Sequence, residues 1–190
     1  MFQIVRLRDV VRVPPDRFGK PLKDVATEIL KMRYESTLSP DYGYVIRVFD
    51  VKVDPVGKII HGDAGIYHKA EFSILAFYPK IGEILEGEVV EITDFGAFVK
   101  IGPADALLHI SQIMDDYLST DMKQGAIIGS NTNRVLRVGS RMRVKITAVS
   151  LSRGASLGKI GVTCRQPFLG AIEWIEEDVK KAHEAQEAKK

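Results

Sequence analysis

Apolar residues in the first part of the chain recur with two different periods. Phe2 to Val13 is dense in β-branched residues and stops at Pro14-Pro15. Consecutive prolines cannot continue the interior of a sheet, so a strand is expected before them. Pro21 stands where the start of a helix tolerates proline. Leu22, Val25, Ala26, Ile29 and Leu30 then fall on one helical face. That helix is expected to fade between Ser36 and Pro40. Tyr44 to Val53 returns to strand texture, and Asp54-Pro55-Val56-Gly57 signals a turn. Lys58 to His61 reads as a short strand, Gly62-Asp63-Ala64-Gly65 breaks it, and Tyr67 to Tyr78 is another strand. The order β-α-β-β-β predicts a small α+β unit, one helix on a largely antiparallel sheet.

Pro79-Lys80-Ile81-Gly82 reads as a boundary, after which only strands and turns follow. Glu83 to Thr93 predicts a strand, Asp94-Phe95-Gly96 a bend, and Ala97 to Ile101 a strand. Gly102-Pro103-Ala104-Asp105 is a turn, and Ala106 to Ile110 a short strand. Ser111 to Gly139 reads as a long irregular connection, a length that is usually functional or mobile. Arg141 to Ser150 and Lys159 to Arg165 complete five short strands, the signature of a small Greek-key barrel of the OB type. From Phe168 the pattern is helical. Ile172, Trp174 and Ile175 anchor it, and a charged, solvated end follows. The expected domains are 1–80, 81–168 and a tail over 169–190.

Within the late strands the alternation is clean. Met142, Val144, Ile146 and Ala148 share one face, while Arg141, Arg143, Lys145 and Thr147 share the other. Ile160, Val162 and Cys164 are expected to face in, with Lys159, Thr163 and Arg165 facing out. Cys164 therefore reads as a small core residue.

Composition narrows the class. Of 190 residues, 45% are hydrophobic and 27% charged, which excludes disorder along the whole chain. The single cysteine excludes an internal disulfide and fits a reduced, cytoplasmic setting. No apolar run approaches the roughly 18 residues of a membrane span, and MFQIVRLRDV lacks the pattern of a signal peptide. The net charge of +2 conceals segregation. Residues 81–121 hold nine acids and one base, Lys100, while residues 122–168 hold nine bases and no acid. Two readings fit: the basic block contacts a polyanion, or it folds against the acidic strand carrying Glu86, Glu88 and Glu91.

No catalytic constellation is evident. The histidines His61, His68, His109 and His183 are scattered, and there is no CxxC, HExxH or glycine-rich phosphate cradle. Asp115-Asp116 reads as a solvated or capping pair, with a magnesium role the other reading. No catalytic residue, metal or cofactor is expected. Phe95 and Phe98 flank Gly96 at a strand bend. They either present rings for base stacking, worth about 1–3 kcal/mol per base, or belong to the core.

GEVVEITDFGAFVKIGPADALLHISQI, then VGSRMRVKITAVS and KIGVT, resembles the ribosomal-protein S-one RNA-binding domain over Gly82 to about Thr163. The resemblance implies an RNA face of two aromatics, a histidine and basic residues of the later strands. By position these are Phe95, Phe98, Lys100, His109, Arg143, Lys145 and Lys159. The chain departs from the family pattern at Ser150, often Asp, at Lys159, often Arg, and in the insertion Asp115 to Leu136. VRVPPDRFGKPL, GYVIRVFDVK, IIHGDAGIYH, HISQIMDDY and RQPFLGAIEWIEE extend the likeness to essentially the whole chain. They resemble the E-prime family of archaeal RNA polymerase subunits, related to the seventh-largest subunit of eukaryotic RNA polymerase II.

That resemblance implies a truncated-RNP-like α/β sandwich followed by an OB barrel. It implies a non-catalytic stalk subunit of DNA-directed RNA polymerase, active in initiation and elongation. The implied partners are a small helical RNA polymerase subunit, bound as a heterodimer, the polymerase core and nascent single-stranded RNA. Phe18, Gly62, Asp63 and Gly65, in loops that are neither basic nor aromatic-rich, are the expected core-docking residues. A free-standing S-one RNA-binding factor of translation or RNA turnover explains the barrel equally well, but not those loops. An RNA-processing enzyme fails on space, because only 80 residues precede the barrel and they carry no catalytic pattern.

Overall fold

Alternating β-branched residues build β1 (Phe2–Val13), which runs antiparallel to β5 (Ile66–Phe77) over its full length, from Phe2 opposite Phe77 to Val13 opposite Ile66. The computed structural model describes residues 1–121, 124–152 and 158–187. They form two units, one over Met1–Tyr78 and the other over Pro79–Ser150 and the chain beyond residue 157. In the first unit α1 (Leu22–Tyr34) precedes β2 (Leu38–Ser39), β3 (Gly43–Val53) and β4 (Lys58–Ile59). The sheet order is β1-β5-β3-β2, with β4 paired to the start of β5.

One helix face supplies the core of this unit. Val25, Ala26 and Leu30 are buried, and Ala26 and Leu30 pack with Val11, Val45, Val48, Phe72 and Ile74 of the sheet. Three contacts fix the end of the helix. Arg33 and Tyr34 both reach Asp9 of β1, at 2.6 and 2.9 Å, and the Glu35 carboxylate accepts from the Val48 backbone N–H at 2.9 Å. Phe77 is fully buried, covered by the Phe2 ring 5.1 Å away and the Tyr44 ring at 6.5 Å.

The second unit is a closed five-stranded barrel, in agreement with the α+β and OB expectation. Its strands are β6 (Ile84–Thr93), β7 (Gly96–Lys100), β8 (Asp105–His109), β12 (Arg141–Ser150) and β13 (Lys159–Thr163). The pairing runs β13-β8-β7-β6-β12 and closes between β12 and β13; only β8 and β13 are parallel. Ala97, Val99, Ala106, Leu108, Met142, Val144, Ile146, Ile160 and Val162 fill it. β14 (Gly170–Ala171) adds to β12, and α2 (Ile172–Glu187) follows, with Trp174 and Ile175 buried.

Three local expectations are corrected. Ser111 to Gly139 is no irregular connection. It holds a three-stranded sheet of β9 (Leu118–Asp121), β10 (Ala126–Gly129) and β11 (Val135–Arg137), with Ala126, Ile127 and Leu136 buried. Ala148 is exposed, because a register irregularity between Ile146 and Ala148 resets the alternation. Thr163 is buried, because its hydroxyl has a partner: it donates to Gln112 Oε1 at 2.9 Å.

The Asp115-Asp116 pair is structural. Asp116 accepts from the backbone N–H of Thr132 at 2.9 Å, from the Thr132 hydroxyl at 2.7 Å and from the Asn131 N–H at 3.1 Å. Burial opposes its ionisation, but bonds from Thr132, Asn131 and Tyr117 outweigh this and hold the carboxyl down at about 2. Asp115 pairs with Arg165. Burial pushes the Cys164 thiol up to about 12, which leaves it inert.

Candidate nucleic-acid interface

The bend before β7 is set by glycine. Gly96 has φ +152°, and a Cβ there would stand 2.2 Å from the Leu108 carbonyl oxygen and 3.0 Å from His109 Cα. The close approach lets Gly96 pair with His109 across β7 and β8, while the Phe95 carbonyl accepts from the Ile110 N–H at 2.9 Å. Phe95 and Phe98 emerge on either side of this pinned corner. Their rings meet edge to face, with centroids 6.2 Å apart and planes at 88°. Phe95 is 44% exposed and Phe98 half-buried, so neither ring is wholly core.

His109 joins them with a defined tautomer. Its Nδ1 accepts from the Ser111 N–H at 3.2 Å and lies 2.8 Å from the Ser111 hydroxyl. A neutral ring accepting at Nδ1 carries its proton on Nε2, which makes Nε2 a donor.

Strand alternation and register extend this corner into a strip. Ala97, Val99, Ala106, Leu108, Ile160 and Val162 point inward, so Phe98, Lys100, Leu107, His109, Lys159 and Gly161 lie on the outer face. Phe98 stands opposite Leu107, and Leu107 opposite Gly161. An aromatic, an aliphatic and a residue without a side chain thus follow one another across three strands. The cations border this strip. Lys100 stands opposite Glu88 and Asp105, Lys159 opposite Ser150, and Lys145 opposite Thr163. Lys145 donates to Gln166 Oε1 at 3.1 Å. Arg143 is engaged elsewhere, its Nη2 2.9 Å from Glu86 Oε1, and Arg141 reaches the same carboxylate at 3.5 Å. The two charge readings therefore divide: the arginines of β12 neutralise the acidic strand, while Lys145 and Lys159 border the strip.

Sequence reasoning missed Leu107 and Gly161. The signal was present, because residues 105, 107 and 109 share a face and Gly161 lies between the inward-facing Ile160 and Val162.

A different surface forms at one end of the first unit's sheet. Val13 and Ile59 both pair with Ile66, which brings the loop after β4 beside the end of β1. Asp63 organises that loop. It receives Arg12 at 2.5 and 2.7 Å, the Tyr67 hydroxyl at 2.5 Å and the Gly65 N–H at 2.9 Å. Arg12, then Tyr67 and Gly65, hold its carboxyl well below the usual carboxylate range. At Gly65 a Cβ would stand 2.9 Å from Arg12 Nε, so a larger residue would displace the arginine side chain, whereas Gly62, at φ +87°, faces open space. The acceptor positions of Asp63 are filled from within the chain, so this residue shapes the loop. The exposed apolar residues of this unit include Phe18 and, not singled out in the sequence, Val56, Ile59 and Ile60 in the stretch leading into the Asp63 loop; Ile59 is 76% exposed.

Among the described residues no group of three or more His, Cys, Asp or Glu is arranged to hold a metal. No described helix is long and apolar enough to cross a membrane.

Two family models match. Residues 78–160 match the S1 RNA binding domain, and residues 8–64 match the SHS2 domain found in the N terminus of Rpb7p/Rpc25p/MJ0397. DNA-directed RNA polymerase subunit Rpo7 of Sulfolobus acidocaldarius is 41% identical over 182 residues, 96% of this chain and 99% of that one. DNA-directed RNA polymerase II subunit RPB7 of Saccharomyces cerevisiae is 26% identical, covering 90% of this chain and all of that one. A polyribonucleotide nucleotidyltransferase of Desulfosudis oleivorans is 39% identical over 105 residues, 55% of this chain but 12% of that one.

Proposed function

The chain belongs to the family of archaeal DNA-directed RNA polymerase subunit Rpo7, and from that premise we propose a non-catalytic stalk subunit of the polymerase. Its N-terminal unit docks on the polymerase core beside a small helical partner. Its barrel holds single-stranded RNA as the transcript emerges, in support of initiation and elongation. The work is done in the cytoplasm.

One observation carries the reading. The likeness to polymerase subunits runs from end to end and spans both units, whereas the likeness to the polyribonucleotide nucleotidyltransferase covers little more than half of the chain. A free-standing RNA-binding factor would need the barrel alone. The exposed aliphatic residues beside the Asp63 loop suit a protein pocket, and the strip around Phe98 suits bases. The helical partner is favoured by β1. It has twelve residues, and among the described residues no strand pairs with its outer edge. Phe2, Ile4 and Val10 are exposed along it. An edge that long is normally covered, and a stable partner would bury about 1,600 Å².

The test is purification of the tagged full chain from its own cells. Core polymerase subunits and a small helical subunit should accompany it in stoichiometric amounts. Ile59→Asp or Phe18→Ala, shown to be folded, should reduce recovery of the core without loss of the small subunit. Recovery with ribosomes or RNA-degrading enzymes, and without polymerase, would replace this reading by the free-standing factor.

A further inference from the structure

The turn that joins β13 to β14 has the wrong residue for its shape. The Leu169 N–H donates to the Gln166 carbonyl at 3.2 Å, which closes a four-residue turn over Gln166-Pro167-Phe168-Leu169. Proline at the second position fixes a negative φ, and Phe168 at the third has φ +62°. A turn with that combination is type II, whose third position ordinarily holds glycine or asparagine. A phenylalanine there carries the steric penalty of the left-handed region. The side chain is also 66% exposed. Backbone strain and largely exposed aromatic surface therefore fall on one residue.

The surroundings indicate what the ring meets. Gly170, two residues on, is paired with Arg143 of β12. Gln166, two residues back, receives Lys145 Nζ at 3.1 Å. The turn is thus tied to the basic face of β12. Lys145 stands opposite Thr163, which immediately follows Val162, the β13 partner of Leu108; His109 is the next residue of β8. From residue 122 to 168 the chain contains no acid. An exposed ring two residues from the partner of Lys145, on a turn tied to the strand that continues the face of Phe98 and His109, has the chemistry of a base-stacking platform.

We propose that Phe168 is a further stacking residue for single-stranded RNA, extending the strip around Phe98 past Lys145 onto the β13–β14 turn. The inference rests on the RNA-binding reading of the barrel. It assigns a role beyond Thr163, the end of the stretch on which the S-one resemblance rests, and beyond residue 160, where the matched S1 domain ends.

The two demands on residue 168 can be separated. Phe168→Gly relieves the backbone, so the variant should melt no lower than the parent. Its affinity for oligouridylate of about 12 nucleotides, measured by fluorescence anisotropy on the full chain, should fall about five- to hundred-fold. The slope of log affinity against log salt should not change, because no cation is removed. Phe168→Tyr should retain affinity, and a six-nucleotide ligand should lose less from Phe168→Gly than the longer one. If Phe98→Ala weakens binding and Phe168→Gly does not, the RNA face ends before the turn and this inference is wrong. If the parent binds no RNA and neither variant matters, the RNA reading of the barrel falls with it.

Discussion

Both units expose apolar side chains, but in different company. In the N-terminal unit Val56, Ile59 and Ile60 stand out in the stretch leading into a loop whose one acid, Asp63, is consumed internally by Arg12, Tyr67 and Gly65. In the barrel Phe95 and Phe98 stand beside a histidine with an outward donor and are bordered by lysines with acids interspersed. Aliphatic groups around a pre-ordered loop gain most from burial in a matching protein surface. Flat rings bordered by cations gain most from bases and phosphates. Exposure alone does not separate a protein-docking end from a nucleic-acid face; the neighbours do.

Glycines in the two units give the largest contrast. Gly96→Ala forces a Cβ into the Leu108 carbonyl at 2.2 Å, with backbone on both sides. It should destabilise the barrel by about 3 kcal/mol and remove RNA binding, because the corner that aims Phe95 and Phe98 is lost. Gly62→Ala meets nothing within 4 Å. It should cost only about 1 kcal/mol, the left-handed backbone penalty. Urea titration of each variant checks both values. Equal losses would mean that the β7 corner is not held by close approach.

The RNA face separates stacking from charge. Phe98→Ala should weaken single-strand binding by about 1–3 kcal/mol with an unchanged salt slope. Lys145→Ala should lower that slope by about 0.7, the share of one phosphate on a single strand. Anisotropy across a salt series reads both. Unfolding of Phe98→Ala would assign that ring to the core, since it is already half-buried.

How far these features were legible depended on sequence distance. Strand boundaries came within a residue or two for β1, β3, β5 and β12, because Pro14-Pro15, Asp54-Pro55 and Gly139 mark them locally. The β9–β11 sheet was missed because strands of three or four residues such as Val135–Arg137 carry no periodicity of their own. It is held instead by Asp116, which bonds residues 15 and 16 positions away. Arg12 and Asp63 are 51 residues apart, and nothing in either motif announces the pairing. Alternation foretold the cationic face of β12, and charge segregation named Glu86, Glu88 and Glu91 as its possible counterions; that Glu86 takes Arg141 and Arg143 while Lys145 turns to Gln166 depends on pairing register, which periodicity does not carry. The irregularity that turns Ala148 outward also breaks the pattern from which it would have been read.

Acid provides a milder test of each unit. Asp63 and Asp116 both ionise more readily in the folded chain than at their ordinary value of 3.8. Below that value an unfolded chain binds protons that the folded one does not. Their contribution is therefore complete above about pH 4 and is lost as pH falls, through about 2 for Asp116 and lower for Asp63. Asp116→Asn should remove part of the pH dependence of barrel stability between about 4 and 2, and Asp63→Asn should do so only in the N-terminal unit. Amide exchange resolved by residue distinguishes them. An effect of Asp63→Asn confined to the barrel would contradict the local role of the loop bonds.

The smallest effect has opposite signs in the two units. Glu86 lies 2.9 Å from Arg143 and 3.5 Å from Arg141, and all three side chains are partly or largely exposed. Exposed pairs of this kind contribute about 0–1 kcal/mol, so Glu86→Gln should leave barrel stability within that range. What changes is the field. Two arginines on the same face of β12 as Lys145 lose their counterion and become available to phosphate. Affinity for single-stranded RNA should then rise about two- to five-fold at low salt, and the salt slope should steepen by about 0.7 for each phosphate gained. Asp63→Asn, the corresponding removal of an acid in the N-terminal unit, should instead weaken retention of the polymerase core, because that carboxylate orders a loop and masks no cation needed elsewhere. If Glu86→Gln leaves the salt slope unchanged, Arg141 and Arg143 lie off the RNA path, and the cationic border of the strip reduces to Lys100, Lys145 and Lys159.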